Sequence, residues 1–122
     1  MIESEPIQLR PIGIVRREDD HQIIRVDPAY ADGLLGIERA EKLQILYWMH
    51  KLPAEKREIL TAHPRGDASR ELRGVFALRS PMRPNPIGST VVELLEVRGH
   101  SLLVEGLDAL DGSPVLDVKI TS

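Results

Sequence analysis

The residues best suited to chemistry lie in one proline-rich segment near the middle of the chain. From Arg79 to Asn85 the sequence reads R-S-P-M-R-P-N, and Pro86 follows directly. Each proline fixes its own φ angle and pushes the residue before it towards extended backbone. The pattern predicts a stiff loop, shaped before any ligand arrives, that displays two guanidinium groups, a hydroxyl and an amide.

A guanidinium group presents several donors in a planar fork that matches an anion or a carboxylate. We therefore interpret this loop as a binding element for an anionic ligand. The alternative is a rigid connector whose arginines lie in solvent. The density of conformational constraint within so short a segment favours the binding role.

A second polar segment, D-G-S-P from Asp111 to Pro114, offers a carboxylate, a hydroxyl and a flexible backbone at its glycine. These groups could hold a ribose hydroxyl or a cation. An Asp-Gly pair of this kind is also a common turn with no further role. The value of this segment depends on what the fold places beside it.

A third candidate follows the apolar run L-Q-I-L-Y-W-M. His50 and Lys51 come directly after this run, and barrels place ligand-contacting side chains at the ends of strands. Tyr47 and Trp48 could supply a stacking wall nearby, whereas the one that faces inward would pack in the core instead.

Composition excludes several kinds of chemistry. The chain has no cysteine, which excludes a disulfide scaffold, a thiolate zinc site and a cysteine nucleophile. Neither a P-loop, nor a dinucleotide-binding glycine motif, nor a nucleophile elbow occurs. The four histidines lack the spacing of zinc ligands, so we expect no metal site.

The net charge of −3 and the pI near 5.8 argue against nucleic-acid binding through the overall field of the protein. The charge is unevenly distributed, however, and the middle of the chain is more basic than its ends. The basic residues of this stretch are Lys56, Arg57, Arg65, Arg70, Arg73, Arg79 and Arg83. A local contact with a polyanionic substrate is compatible with this distribution.

The elements that must position these groups are short and mostly extended. Apolar, partly alternating runs predict strands over residues 7–15, 22–26, 43–49, 59–63, 75–78, 90–97, 102–107 and 115–120. Polar or Gly/Pro-rich stretches predict turns over 16–21, 64–67, 98–101 and 108–114. One or two short helical turns are expected, over 38–42 and 53–58.

These elements indicate an all-β protein, either a small barrel or a sandwich. A length of 122 residues is typical of one domain, which we expect to cover residues 1–122. The first residues lack the features of a signal peptide, and no apolar run approaches the length of a membrane span. We therefore expect a cytoplasmic protein with no membrane contact.

Longer motifs resemble one known family. The segment R-G-V-F-A-L-R-S-P-M-R-P-N-P-I-G (Arg73 to Gly88), followed by L-D-A-L-D-G-S-P-V-L-D-V-K (Leu107 to Lys119), closely resembles the TsaA-like (TrmO, YaeB) family. Further matches are P-I-G-I-V-R from Pro11, Y-A-D-G-L-L-G-I-E from Tyr30 and H-P-R-G-D from His63. The motifs follow one another in the family's order over nearly the whole chain.

The resemblance implies a small single-domain β-barrel that forms a homodimer and binds S-adenosylmethionine. It also implies methylation of N6 of threonylcarbamoyladenosine in tRNA, next to the anticodon, although the catalytic residues stay unknown. The residues implied to contact the cofactor are His50, Lys51, Arg79, Ser89, Asp111, Gly112, Ser113 and Pro114. Arg83, Pro84 and Asn85 are implied to shape the loop or to contact the substrate.

Some positions differ from the family pattern. Leu78 replaces the threonine of F-A-T-R-S-P, and Ala40-Glu41-Lys42 replaces an aromatic-Ser-His motif. These differences keep two other functions open. One is a non-catalytic S-adenosylmethionine-binding or sensor module, and the other is a methyltransferase that acts on a small molecule.

Overall fold

Six antiparallel β-strands close into a barrel in the computed structural model, which describes residues 4–121. The strands are β1 (Gly13–Glu18), β2 (His21–Val26), β3 (Lys42–Trp48), β6 (Ile87–Arg98), β7 (Ser101–Glu105) and β8 (Pro114–Ile120). Around the barrel their order is β1-β2-β7-β6-β3-β8, and β8 pairs with β1 to close it. Two very short strands, β4 (Thr61–Ala62) and β5 (Arg73–Gly74), pair with each other in a separate small sheet.

The connections contain short 3₁₀-helical segments. They span Pro28–Leu34, Ile37–Arg39, Ala54–Glu58, Pro64–Gly66 and Val75–Ala77. The prediction of a mainly β-barrel protein with short helical turns is therefore confirmed. Within residues 4–121, no helix is long and apolar enough to cross a membrane.

The core fills the barrel interior, and strand β3 shows how the sequence builds it. Leu43, Ile45 and Tyr47 are buried, whereas the residues between them are at least partly exposed. Successive side chains of a strand point to opposite faces, so this alternation sends one face inward. Each fully buried aliphatic side chain contributes about 1.5–3 kcal/mol to folding. The predicted strand over residues 43–49 is thus confirmed to within one residue.

The first hairpin differs from the predictions. The strand expected over residues 7–15 begins only at Gly13, and Ile7 is 86% exposed. Pro11 lacks an N–H group and cannot pair as a regular strand residue. The expected turn over 16–21 is also wrong, because β1 continues to Glu18 and β2 begins at His21.

The actual turn of this hairpin is the pair Asp19 and Asp20, with φ angles of 47° and 65°. Two-residue turns with positive φ at both positions match the twist of the flanking strands, and aspartate tolerates that conformation. Polar composition alone does not locate the two turn residues among six. The predicted turn therefore included Arg16 and Arg17, whereas both residues lie in strand β1.

The central segment also differs from the prediction. The strand expected over 75–78 is wrong, because Val75–Ala77 forms a 3₁₀ turn. This turn buries Val75 and leaves Phe76 exposed. Of the strand expected over 59–63, only the two residues of β4 are in a strand. The predictions over 22–26, 90–97, 102–107 and 115–120 correspond to β2, β6, β7 and β8.

Candidate functional site

A cavity of about 680 Å³ opens at one end of the barrel. Its walls come from the end of β3 with the residues after it, the proline-rich loop, the start of β6 and the loop before β8. The residues that line it include Tyr47, Met49, His50, Lys51, Lys56, Leu78, Arg79, Ser80, Met82, Arg83, Ser89, Thr90, Asp108, Leu110 and Ser113. The size is typical of a pocket for one drug-sized ligand.

Tyr47 closes the barrel beneath this cavity. It pairs across the strands with Gly88, and a Cβ atom built on Gly88 would lie 2.3 Å from Tyr47 Cε2. The ring therefore occupies space that any other residue at position 88 would fill. The Tyr47 hydroxyl donates to the Asp108 carbonyl and lies 3.2 Å from Thr90 Oγ1. The core-packing interpretation of Tyr47 is confirmed, and its hydroxyl ties the barrel to the loop before β8.

Ser113 is the buried polar residue of that loop, at 2% exposure. Its hydroxyl donates to the Leu110 carbonyl at 2.7 Å and lies 3.4 Å from His50 Nδ1. Gly112 has a φ angle of 84°, and a Cβ atom built on it would lie 3.8 Å from His50 Nε2. Two segments far apart in sequence, one after β3 and one before β8, therefore meet at His50.

Arg17 and Gln22 hold the outer side of the same loop. Arg17 Nη2 donates to the carbonyls of Leu107 and Ala109 at 3.0 and 2.7 Å, and Arg17 Nε donates to Ala109 at 3.0 Å. The Gln22 side chain donates to the Leu107 carbonyl at 2.8 Å and accepts from the Leu107 N–H at 2.9 Å. Sequence reasoning missed both residues, because nothing in a β-hairpin sequence indicates which distant carbonyls its side chains will reach.

Asp111 and Pro114 lie outside the lining of the cavity. Asp111 Oδ1 accepts from the backbone N–H of Arg17 at 2.9 Å, and Asp111 Oδ2 lies 3.9 Å from Arg16 Nη1. Pro114 begins β8 and is paired with Ile14 of β1. The geometry thus places both residues where they fix the loop to the first hairpin.

The proline-rich loop is braced by its own side chains. Arg83 Nη1 donates to the carbonyls of Leu78 and Ser80 at 2.9 and 3.1 Å, and the Ser80 hydroxyl accepts from the Met82 N–H at 3.1 Å. Arg79 Nη2 donates to the Ser89 carbonyl at the start of β6. Part of the hydrogen-bonding capacity of both arginines is therefore used on backbone carbonyls, which rigidifies the loop.

Pro84 and Asn85 contact Arg57 and do not line the cavity. Arg57 Nε donates to the Pro84 carbonyl at 2.7 Å, and Arg57 Nη2 lies 3.5 Å from Asn85 Oδ1. The same guanidinium lies 5.3 Å from the ring centre of Trp48, in cation–π contact. Arg57 thus fixes the end of the loop against strand β3.

The fold brings six of the residues implied by the resemblance to one cavity: His50, Lys51, Arg79, Arg83, Ser89 and Ser113. Gly112 lies beside His50. The Ser89 hydroxyl accepts from the Gln44 amide at 3.0 Å. The predicted cofactor contacts stay predictions; they are those of His50, Lys51, Arg79, Ser89, Asp111, Gly112, Ser113 and Pro114. The role of Arg83, Pro84 and Asn85 in shaping the loop or contacting the substrate likewise stays a prediction.

The charge of the cavity is strongly asymmetric. Of the residues that the structure describes, four cationic side chains line it, those of Lys51, Lys56, Arg79 and Arg83, against one carboxylate, that of Asp108. Among residues 4–121, no group of three or more His, Asp and Glu side chains is arranged to hold a metal ion. The cavity therefore favours a ligand that carries negative charge.

A closed β-barrel with a basic cavity at one end, framed by the proline-rich and D-G-S-P loops, defines a ligand-binding barrel protein. The chain belongs to the TrmO family: the family's tRNA-methyltransferase O N-terminal domain matches residues 6–121. The family prediction made from the sequence is thereby confirmed.

Relatives of known name agree with this assignment. The chain is 45% identical over 125 residues to an S-adenosyl-L-methionine-binding protein of Archaeoglobus fulgidus, covering 91% of this chain and 86% of the relative. It is 38% identical over 115 residues to a probable S-adenosyl-L-methionine-binding protein of Methanocaldococcus jannaschii, covering 93% and 91%.

A crystal structure of TrmO from Pseudomonas aeruginosa superimposes with a TM-score of 0.75 at 26% identity. The match covers all of this chain but only 57% of the TrmO chain. The present chain thus spans little more than half the length of that protein.

Proposed function

We propose that the chain is an S-adenosylmethionine-dependent methyltransferase that methylates N6 of threonylcarbamoyladenosine in tRNA, next to the anticodon. Membership of the TrmO family and the S-adenosylmethionine-binding relatives support the cofactor. The main support for the proposal is the cavity, because residues from several separate motifs of the family line it together.

The cavity fits the chemical parts of this cofactor. Met49, Leu78 and Met82 give an apolar surface on which a purine can pack. Hydroxyl, imidazole and cationic groups at Ser113, His50 and Lys51 supply partners for ribose hydroxyls and a carboxylate. Bound S-adenosylmethionine supplies a methyl group that is already activated by its sulfonium.

The protein therefore has to position and orient the methyl acceptor against the cofactor and to exclude water. The braces formed by Arg83 and Arg57 fix one wall before binding, and those formed by Tyr47 and Arg17 fix the opposite wall. Pre-formed walls lower the ordering cost of binding. No side chain of the chain needs to form a covalent intermediate.

The charge of the cavity supports an anionic acceptor. The cofactor carries one carboxylate, but also an ammonium and a sulfonium, so it leaves the four cationic lining residues without a net counter-charge. Phosphates or a carboxylate on the acceptor would supply it. A modified adenosine within tRNA meets this requirement, whereas a neutral small molecule does not.

Two measurements test the proposal. Calorimetry with S-adenosylmethionine should show binding, and no heat at millimolar cofactor would refute the cofactor assignment. Bulk tRNA from a strain that lacks the enzyme should then gain one methyl group on threonylcarbamoyladenosine, detected by nucleoside mass spectrometry. Threonylcarbamoyladenosine that stays unmethylated after incubation with the cofactor-bound protein would exclude this acceptor.

A non-catalytic S-adenosylmethionine-binding or sensor module is the second candidate. The relatives that this chain covers almost completely are named as binding proteins, and Leu78, the replaced threonine position, lines the cavity. Leu78→Thr distinguishes the candidates. A gain of methyl transfer to tRNA in this variant, with none in the wild type, would favour a binding protein that has lost activity.

We also propose that the chain works as a homodimer. Val91 on β6 and Ile120 on β8 are exposed apolar residues of the barrel exterior, which contact with a second copy would cover. Sedimentation velocity at micromolar concentration should give the mass of two chains. A species of 13.7 kDa would contradict the proposal.

A further inference from the structure

The only phenylalanine of the protein is exposed. Phe76 has 78% of its surface accessible, although the residue before it, Val75, is buried. The 3₁₀ turn that carries Phe76 is fixed on both sides, because Val75 donates to the Leu60 carbonyl at 2.9 Å and Leu78 donates to the Val75 carbonyl at 3.2 Å. The ring is therefore held out from the surface by an ordered backbone.

Arg83 supports one face of this ring. Its guanidinium carbon lies 6.0 Å from the ring centre, in the range of a cation–π contact. The guanidinium is itself fixed by its bonds to the carbonyls of Leu78 and Ser80. Phe76 and Arg83 thus form a preassembled pair that leaves most of the ring open to solvent.

The pair lies at the rim of the cavity. Leu78, two residues after Phe76, lines the cavity, and Arg83 lines it as well. A large acceptor molecule that reaches into the cavity extends beyond the lining residues and can contact this rim. The exposed ring is therefore placed to contact the acceptor outside the reacting group.

The charge of the surrounding segment indicates the class of that partner. Residues 54–85 contain seven Lys and Arg against four Asp and Glu, whereas the whole chain contains 16 against 19. Only one of these seven cations, Arg70, forms an ion pair among the described residues, with Asp67. A flat, anionic partner suits this surface, and single-stranded RNA offers bases that stack on aromatic rings beside phosphates.

A second copy of the chain suits the surface less well. A two-fold contact brings the same patch of both copies together, so the basic segments would face each other. We propose that Phe76, backed by Arg83, is a stacking platform for an unpaired base of the RNA that carries the acceptor adenosine. This inference rests on the proposed RNA substrate and adds a contact site to it.

The test compares Phe76→Ala and Phe76→Trp with a control, Leu35→Ala. Leu35 is an exposed apolar residue at 95% accessibility, outside the cavity lining. The probe is a fluorescein-labelled RNA hairpin with an adenosine in its loop. Its binding to each variant is measured by fluorescence anisotropy. Phe76→Ala should weaken RNA binding roughly ten- to hundredfold, whereas Phe76→Trp, which keeps an aromatic face, and Leu35→Ala should bind as the wild type does.

Calorimetry with S-adenosylmethionine should give the same Kd for all variants, because Phe76 is outside the cavity lining. A parallel loss of cofactor affinity in Phe76→Ala would place the ring in the cofactor site and overturn the inference. Dissociation of a dimer in Phe76→Ala alone would assign the ring to a contact between copies and overturn it as well.

The failure of this inference is distinct from the failure of the proposed function. If the wild type binds the hairpin and methylates tRNA while Phe76→Ala does both equally well, only the stacking platform is refuted. If the wild type binds cofactor but neither binds nor methylates RNA, the RNA substrate is refuted and the platform with it.

Discussion

At Gly88 the absence of a side chain lets an aromatic ring close the end of the barrel. The Tyr47 ring lies directly over this glycine, and its hydroxyl bonds the Asp108 carbonyl and faces Thr90. Because Gly88 has no Cβ atom, Tyr47 can pack in the core and also bond the loop that lines the cavity. The same ring anchors the loop that carries Ser113.

Gly88→Ala should destabilise the protein and weaken cofactor binding. The new methyl group would lie 2.3 Å from the buried Tyr47 ring, which has to move. Overpacking of this kind costs about 1–3 kcal/mol in the free energy of unfolding, measured by urea denaturation.

Gly33→Ala is the matched control, since a Cβ atom there meets no atom within 4 Å. Its free energy of unfolding should stay within about 0.5 kcal/mol of the wild type, as for most surface changes. An equal effect of the two substitutions would contradict the packing role of Gly88.

At the scale of elements, the β1–β2 hairpin is a clamp for the loop before β8. The Arg17 guanidinium, the Arg17 N–H and the Gln22 amide all bond groups between Leu107 and Asp111. This loop and the proline-rich loop form opposite walls of the cavity. Each wall is therefore positioned by an arginine from another element, Arg17 for one and Arg57 for the other.

Arg17→Gln should weaken S-adenosylmethionine binding and lower stability as well. A glutamine is too short to bond both carbonyls, and hydrogen bonds from charged groups are worth about 1.5–3 kcal/mol. We expect the Kd from calorimetry to rise about tenfold and the free energy of unfolding to fall by about 1.5–3 kcal/mol, which lowers the unfolding temperature by roughly 5–15 °C.

Arg25→Gln is the control on the same hairpin. Among residues 4–121, Arg25 pairs only with Glu18, at 2.6 Å on the exposed face, and exposed ion pairs contribute about 0–1 kcal/mol. Its cofactor affinity should equal that of the wild type. A similar rise in Kd for both variants would show that Arg17 acts through general hairpin stability.

At the scale of the whole molecule, the protein combines a net charge of −3 with a basic segment around its cavity. A polyanion is therefore repelled by most of the surface and attracted by one region of it. For the RNA substrate that we propose, this uneven field would favour approach towards the cavity.

RNA affinity should fall steeply with salt, whereas cofactor affinity should change little. For single strands, log K falls with log salt concentration by about 0.7 for each phosphate contacted. Anisotropy titrations with the RNA hairpin at several salt concentrations give this slope. A slope near zero would contradict phosphate contacts by the basic segment, and Lys56→Gln should reduce the slope if this exposed cavity residue contacts a phosphate.

The sequence by itself determined the strands whose pattern is local. The short, apolar and partly β-branched run from Leu43 to Met49 predicted β3, and the long motifs of the chain identified the family. It also determined the stiffness of the proline-rich loop, because proline acts on its own φ angle and on its direct neighbour.

Only the tertiary structure decided which groups meet. Arg17 and Ala109 are 92 residues apart in sequence, and His50 and Ser113 are 63 apart. Barrel closure brings these pairs together, and neither residue of a pair carries a signal of its partner. The exposure of Phe76 was equally hidden, because an apolar run predicts a strand unless the fold forces a tight turn. Local sequence thus specified the walls of the site, and long-range packing decided what those walls enclose.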